Sequence, residues 1–188
     1  MNIANKLTIL RIILAFFCIG FILADTYNYL LIAFIIFILA SITDFFDGFL
    51  ARKQNIITDL GKILDPIADK ILIIGVFLAF IELNVINVWV VSVIMLREFV
   101  VTSVRFYGLS KGVVLEAQML GKHKTVSQIA GIVIIFLVLL ARKVFPASLT
   151  VGFFYSRFIP WMMWYIMAIT LFSGFNFFWS NRKTIVTF

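Results

Sequence analysis

The sequence predicts an all-α integral membrane protein with six transmembrane helices, and three observations lead to this fold class. The 188 residues are 63% hydrophobic and 13% charged, with a mean hydropathy of +1.12; a soluble domain has roughly half its residues apolar and about a quarter charged. Six apolar stretches, at about 7–24, 29–47, 65–83, 86–107, 122–142 and 158–180, approach or reach the ~20 residues that cross a bilayer. The basic residues, finally, are shared unevenly between alternate connections. Residues 1–188 read as a single transmembrane domain with no repeat and no linker.

Taken in order, the first stretch contains Arg11 and the lone Cys18. Lys6 and Arg11 ahead of apolar residues resemble the start of a signal peptide, but Arg11 interrupts the pattern and no small-residue cleavage site follows, so a retained helix is expected. A single cysteine excludes an intrachain disulfide. The second stretch carries the apolar run Leu30 to Ala40 into Asp44 and Asp47, and the third carries Asp65 and Asp69 into the run Ile71 to Ile81. Pro66 either opens the third helix, with Asp65 as its cap, or kinks a helix begun near Thr58. Arg97, Glu98 and Arg105 lie in the fourth stretch, and Lys122, His123 and Lys124 open the fifth. In the sixth, Trp161, Trp164 and Tyr165 form an interfacial anchor.

Six spans put both termini on one face. Placing them with the connections near 48–64 and 104–124 gathers every Lys and Arg except Arg142, Lys143 and Arg157, which is 13 of 16. The positive-inside bias makes that face cytoplasmic. The net charge of +7 follows from this bias and from anionic lipids or substrates. Nucleic acid is not an expected partner, because the basic residues alternate with membrane spans.

The acidic segment reads Asp44-x-x-Asp47-Gly48-x-x-Ala51-Arg52, then eight residues, then Gly61-x-x-x-Asp65-x-x-x-Asp69. Spacings of three and four place each aspartate pair on one helical face, and a helical hairpin would bring the four together. Ionised carboxylates about 4 Å apart repel by roughly 4 kcal/mol at an effective dielectric near 20, so a cation must fill the space between them. Oxygen-only ligands with no nearby His or Cys suit Mg²⁺ or Mn²⁺ rather than zinc or iron. Four carboxylates can hold two such ions, the arrangement that assists phosphoryl displacement. Gly48 and Ala51 leave space beside the carboxylates, and Arg52 adds a phosphate-binding fork. Helix capping, or pairing with Arg52, Lys62 and Lys70, accounts for one aspartate but not for four at these spacings.

At every fixed position, this segment resembles the signature of the CDP-alcohol phosphotransferases, membrane enzymes that replace the CMP of a CDP-linked lipid or alcohol by another alcohol. Thr43, Thr58, Asp59 and the run Leu64 to Lys70 are similar to the bacterial phosphatidylglycerophosphate synthases within that family. So are Asn2 to Arg11, Arg97-Glu98-Phe99, Arg105 and Gly121 to Thr125. Ala4 departs from the usual proline and touches no chemistry. The resemblance implies the six-helix CDP-alcohol phosphotransferase fold, a homodimer and a polar cavity open to the cytosol of a bacterial inner membrane. It implies two divalent cations held by Asp44, Asp47, Asp65 and Asp69, with Asp69 also the general base. It implies a CDP site lined by Gly48, Ala51, Arg52, Thr58 and Gly61, with Asn5 and Thr8 nearby.

The remaining basic residues bear on the acceptor. Arg97, Arg105, Lys122 and Lys124 lie at the cytosolic side of the fourth and fifth helices, and a compact anionic acceptor needs such a cluster. Glycerol 3-phosphate fits, so the expected reaction is CDP-diacylglycerol plus sn-glycerol 3-phosphate giving phosphatidylglycerol phosphate and CMP. Glu98 is expected to orient an arginine, and His123 to be an interfacial polar residue. The alternatives are a sister enzyme taking phosphatidylglycerol or an inositol phosphate, and a divalent-cation transporter. Transport needs acidic residues along a path through the bilayer, whereas the motif aspartates lie at one end of their spans. A membrane scaffold leaves Gly48, Gly61 and the carboxylate spacing unexplained.

Overall fold

The computed structural model describes residues 3–54, 59–113, 115 and 119–186, with side chains except at 3–7, 44–54, 59–66, 119–120, 183 and 186. Among the described residues the chain is all helical: α1 (Ile3–Leu23), α2 (Tyr27–Gln54), α3 (Asp59–Glu82), α4 (Val88–Ser110), α5 (Met119–Val144), α6 (Leu149–Phe153) and α7 (Ile159–Val186). A π-helical turn, Phe154–Phe158, joins α6 to α7. Each of the six apolar stretches overlaps this helical set, with 7–24, 65–83 and 86–107 running one or two residues past a helix end. Among the described residues two helical stretches, Gly121–Val144 and Leu149–Arg182, are long and apolar enough to cross a membrane, and Thr8–Leu23 and Tyr27–Thr43 are shorter apolar helices.

The helix ends have local causes. Between α1 and α2 the chain turns at Asp25 (φ 47°), and between α3 and α4 at Asn84 (φ 56°); both residue types tolerate the left-handed region. Asn87 caps α4, its side chain accepting the Trp89 N–H at 2.8 Å. Pro66 does not open α3, which begins seven residues earlier at Asp59, so Asp65 lies inside the helix rather than capping it. At Pro160 the missing N–H and the ring's crowding of the carbonyl four residues back disfavour a regular α turn. The π turn just before it, in which the Ile159 N–H donates to the Phe154 carbonyl, accommodates that defect.

In the bundle α1 packs against both α2 and α3, α5 reaches α2, α3 and α7, and α4 lies against α3 and α7. Phe136 of α5 is the centre of the core, its ring 5.2 Å from that of Phe80 on α3, and 5.5 and 5.9 Å from Phe34 and Phe37 on α2. Gly75 sets the closeness of α1 and α3, since a Cβ there would lie 2.6 Å from Ile19 Cδ1. Large apolar side chains also cover the outer faces, among them Phe16, Phe17, Trp161, Phe172 and Phe175. In water they would form an exposed apolar surface that soluble monomers avoid; a bilayer accepts them.

Candidate active site

The site is built on α3, which presents successive residues to two different neighbours. Asp69 faces α1, where its Oδ1 accepts a hydrogen bond from Arg11 Nη1 at 2.8 Å. The arginine side chain is 2% exposed and the carboxylate 45%, so a buried cation holds a carboxylate that is open on its other side. Thr8, also buried, lies three residues before Arg11, on the same side of α1. An arginine inside an apolar helix calls for a partner. That signal was present in the sequence, but the identity of the partner, 58 residues away, was not.

The next residue, Lys70, faces α4. Its Nζ is 3.9 Å from Glu98 Oε2, while Arg97 Nη1 donates to Glu98 Oε1 at 3.0 Å and Lys124 of α5 donates to the same oxygen. Arg97 Nη2 also donates to Ser173 Oγ of α7 at 3.0 Å. Side chains of α3, α4 and α5 thus meet at Glu98, and α7 joins them through Arg97. Among the described residues three cations surround one carboxylate, a surplus of two positive charges in a site where Arg97 and Glu98 are both buried. Uncompensated charge away from water is costly, and an anionic ligand would offset it.

The structure divides the four basic residues expected at the acceptor. Arg97 and Lys124 meet at Glu98. Lys122 is exposed, because residues two apart on a helix do not share a face. Arg105 lies two turns along α4 from Arg97; its guanidinium sits 5.5 Å over the Phe177 ring, and its buried Nε has no hydrogen-bond partner. Lys70 and Ser173 join the cluster without having been expected there. His123 is exposed.

The remaining expected site residues fall on stretches where less is described. Asn5, Asp44, Asp47, Gly48, Ala51, Arg52, Gly61 and Asp65 belong to helices α1, α2 and α3, but their side chains lie outside the described residues, and Thr58 lies outside them altogether. Among the described residues no three metal-binding side chains cluster. The helical backbone through 44–47 and 65–69 keeps each aspartate pair on one face. An all-oxygen donor set of this kind, ending at the half-exposed Asp69, fits hard divalent cations.

Helical bundle, apolar outer faces and a buried charge cluster together describe a membrane-associated protein with a polar site among its helices. The family model for CDP-alcohol phosphatidyltransferase matches residues 1–172, and the chain belongs to that family. It is 36% identical over 155 residues to the CDP-diacylglycerol–glycerol-3-phosphate 3-phosphatidyltransferase of Bacillus subtilis, covering 81% of this chain and 75% of that protein. Proteins of the same name from Mycoplasma genitalium and Rickettsia bellii are each 34% identical, over 93% and 97% of this chain and 82% and 96% of theirs.

Proposed function

We propose that this protein transfers the phosphatidyl group of CDP-diacylglycerol to sn-glycerol 3-phosphate, releasing CMP and forming phosphatidylglycerol phosphate. The observation that carries the acceptor is the cation surplus around Glu98 of α4, to which Lys70, one residue along α3 from Asp69, contributes. A phosphate monoester bound by Arg97 and Lys124 would satisfy that surplus, with Arg105 and Lys122 drawing the anion in from nearby. The names of the relatives support the same reaction.

In this reading Asp44, Asp47, Asp65 and Asp69 hold two divalent cations, Mg²⁺ or Mn²⁺, which when bound neutralise charge on the pyrophosphate. Gly48, Ala51 and Gly61 leave room for the nucleotide, Arg52 binds its phosphates, and Thr58, Asn5 and Thr8 complete the CDP site. Arg11 fixes Oδ1 of Asp69 and so sets the direction of the carboxylate. Asp69 takes the proton of the acceptor's primary hydroxyl. The acceptor oxygen bonds to the phosphorus bearing diacylglycerol as the bond from that phosphorus to CMP breaks. Six spanning helices would keep the acyl chains in the bilayer, with the site and both termini facing the cytoplasm, and the chain would act as a homodimer of one domain per subunit.

The test is an assay of purified protein with CDP-diacylglycerol, Mg²⁺ and a panel of acceptors, following CMP release and the lipid formed. Glycerol 3-phosphate should give phosphatidylglycerol phosphate at the highest kcat/KM. Preference for phosphatidylglycerol or an inositol phosphate would move the chain to a sister activity, and no CMP release with any acceptor would reject the transferase reading.

A further inference from the structure

Arg97 is held in place from α7 as well as by its neighbour on α4. The arginine stem crosses α7 at Gly174, where a Cβ would lie 3.0 Å from both Arg97 Cγ and Nε and 3.6 Å from Cδ. The adjoining Ser173 accepts from Arg97 Nη2 at 3.0 Å and is itself buried. Nε, pressed against the bare glycine backbone, is buried and has no hydrogen-bond partner. These two α7 residues follow directly after the part of the chain matched by the family model, residues 1–172.

We propose that Ser173 and Gly174 form a seat that positions the Arg97 guanidinium for the anionic acceptor, an inference that rests on the acceptor reading above. Glu98 binds one terminal nitrogen and Ser173 the other, which fixes the plane of the fork. Absence of a side chain at Gly174 lets the stem lie flat on α7. A methyl group there would push Cγ by a few tenths of an ångström, and the shift grows along the remaining bonds to the guanidinium, whose directional contacts tolerate little displacement. Neither residue touches substrate, so both act through Arg97.

A merely structural glycine that lets α4 and α7 pack closely would affect folding and both substrates alike. Steady-state kinetics of the full chain therefore separate the two roles. Gly174→Ala should raise KM for glycerol 3-phosphate roughly ten- to hundredfold, the scale of a lost hydrogen bond to a charged group, with KM for CDP-diacylglycerol and kcat at saturating acceptor near wild type. Ser173→Ala, nearly isosteric and safe to fold, should act in the same direction and less strongly. In an Arg97→Ala background, Gly174→Ala should add nothing. Unchanged acceptor KM in both single variants, equal rises in both KM values, or a full Gly174→Ala effect without Arg97 would each overturn the seat. Wild-type protein that turns over a different anionic acceptor would overturn only the identity of the acceptor, and the same variants would then be read on the acceptor it uses.

Discussion

Lys124 and Lys143 lie near opposite ends of helix α5, in opposite electrostatic settings. Lys124 lies in the buried cluster at Glu98, where three cations share one carboxylate. Lys143, about 28 Å along the helix at 1.5 Å per residue, pairs one-to-one with Asp25, Nζ to Oδ2 at 2.8 Å, and also donates to the Asp25 carbonyl at 2.6 Å. Those side chains are 34% and 47% exposed, and beside them Arg142 stacks 3.8 Å from the Tyr155 ring. The balanced, hydrated pair clips the turn between α1 and α2 to the end of α5. The unbalanced, buried one holds three cations to one carboxylate, and on the proposed function an anionic acceptor completes it. Charge balance and burial therefore distinguish the two regions more clearly than the number of charged residues does.

The contrast is broken most severely at the acidic segment. If Asp44 and Asp65 are metal ligands, Asp44→Asn and Asp65→Asn should each abolish turnover while the protein still inserts and purifies, because Asn keeps the shape and removes the charge. Excess chelator should do the same to wild type, and added Mg²⁺ should restore it. Near-normal CMP release in either variant, or in chelator, would falsify the metal assignment.

A smaller loss, and one that sharpens the comparison, is expected at Asp69. A positioned general base contributes roughly 10²–10⁴-fold in rate, so Asp69→Asn should lose at least about a hundredfold in kcat. It should retain measurable, metal-dependent binding of CDP-diacylglycerol. Asp65→Asn should lose that binding too. Arg11→Ala should cost kcat less than Asp69→Asn, since the carboxylate remains and only its direction is freed, and Arg11→Lys should recover part of the loss. Should Asp69→Asn turn over like wild type, another group takes the proton.

Much of this was legible in the residues. Apolar stretches located the helices, and the signature around the aspartates located the family. Hydropathy, however, reports burial in lipid rather than helix length. It ended the second stretch near residue 47 and began the third at residue 65, whereas α2 continues to Gln54 and α3 begins at Asp59. Good helix formers such as Leu50, Ala51, Arg52 and Lys53 carry α2 onward past Gly48. Long-range pairing was not legible at all. Arg11 with Asp69, Lys70 with Glu98, and Arg97 with Ser173 and Gly174 each join helices far apart in sequence. Their only local signal was a charged or small residue in an apolar helix. The lysine pair divides for a simpler reason: two positions apart in sequence, Lys122 and Lys124 point to different sides of α5.

The smallest effect is expected at the far end of α5. Asp25 adopts a left-handed backbone (φ 47°), and asparagine tolerates that region as well, so Asp25→Asn removes the charge without straining the turn. Exposed ion pairs contribute about 0–1 kcal/mol. The variant should therefore lose no more than about 1 kcal/mol of unfolding free energy in detergent, with kcat and both KM values within about twofold of wild type, because nothing at that end is left in want of an anion. The contrast with Lys124 is sharp: Lys124→Met, which removes a cation from Glu98, should raise acceptor KM while sparing KM for CDP-diacylglycerol. If Asp25→Asn raised the acceptor KM as much as Lys124→Met does, the two ends of α5 would be coupled through the helix, and the division between a structural and a ligand-binding charge cluster would fail.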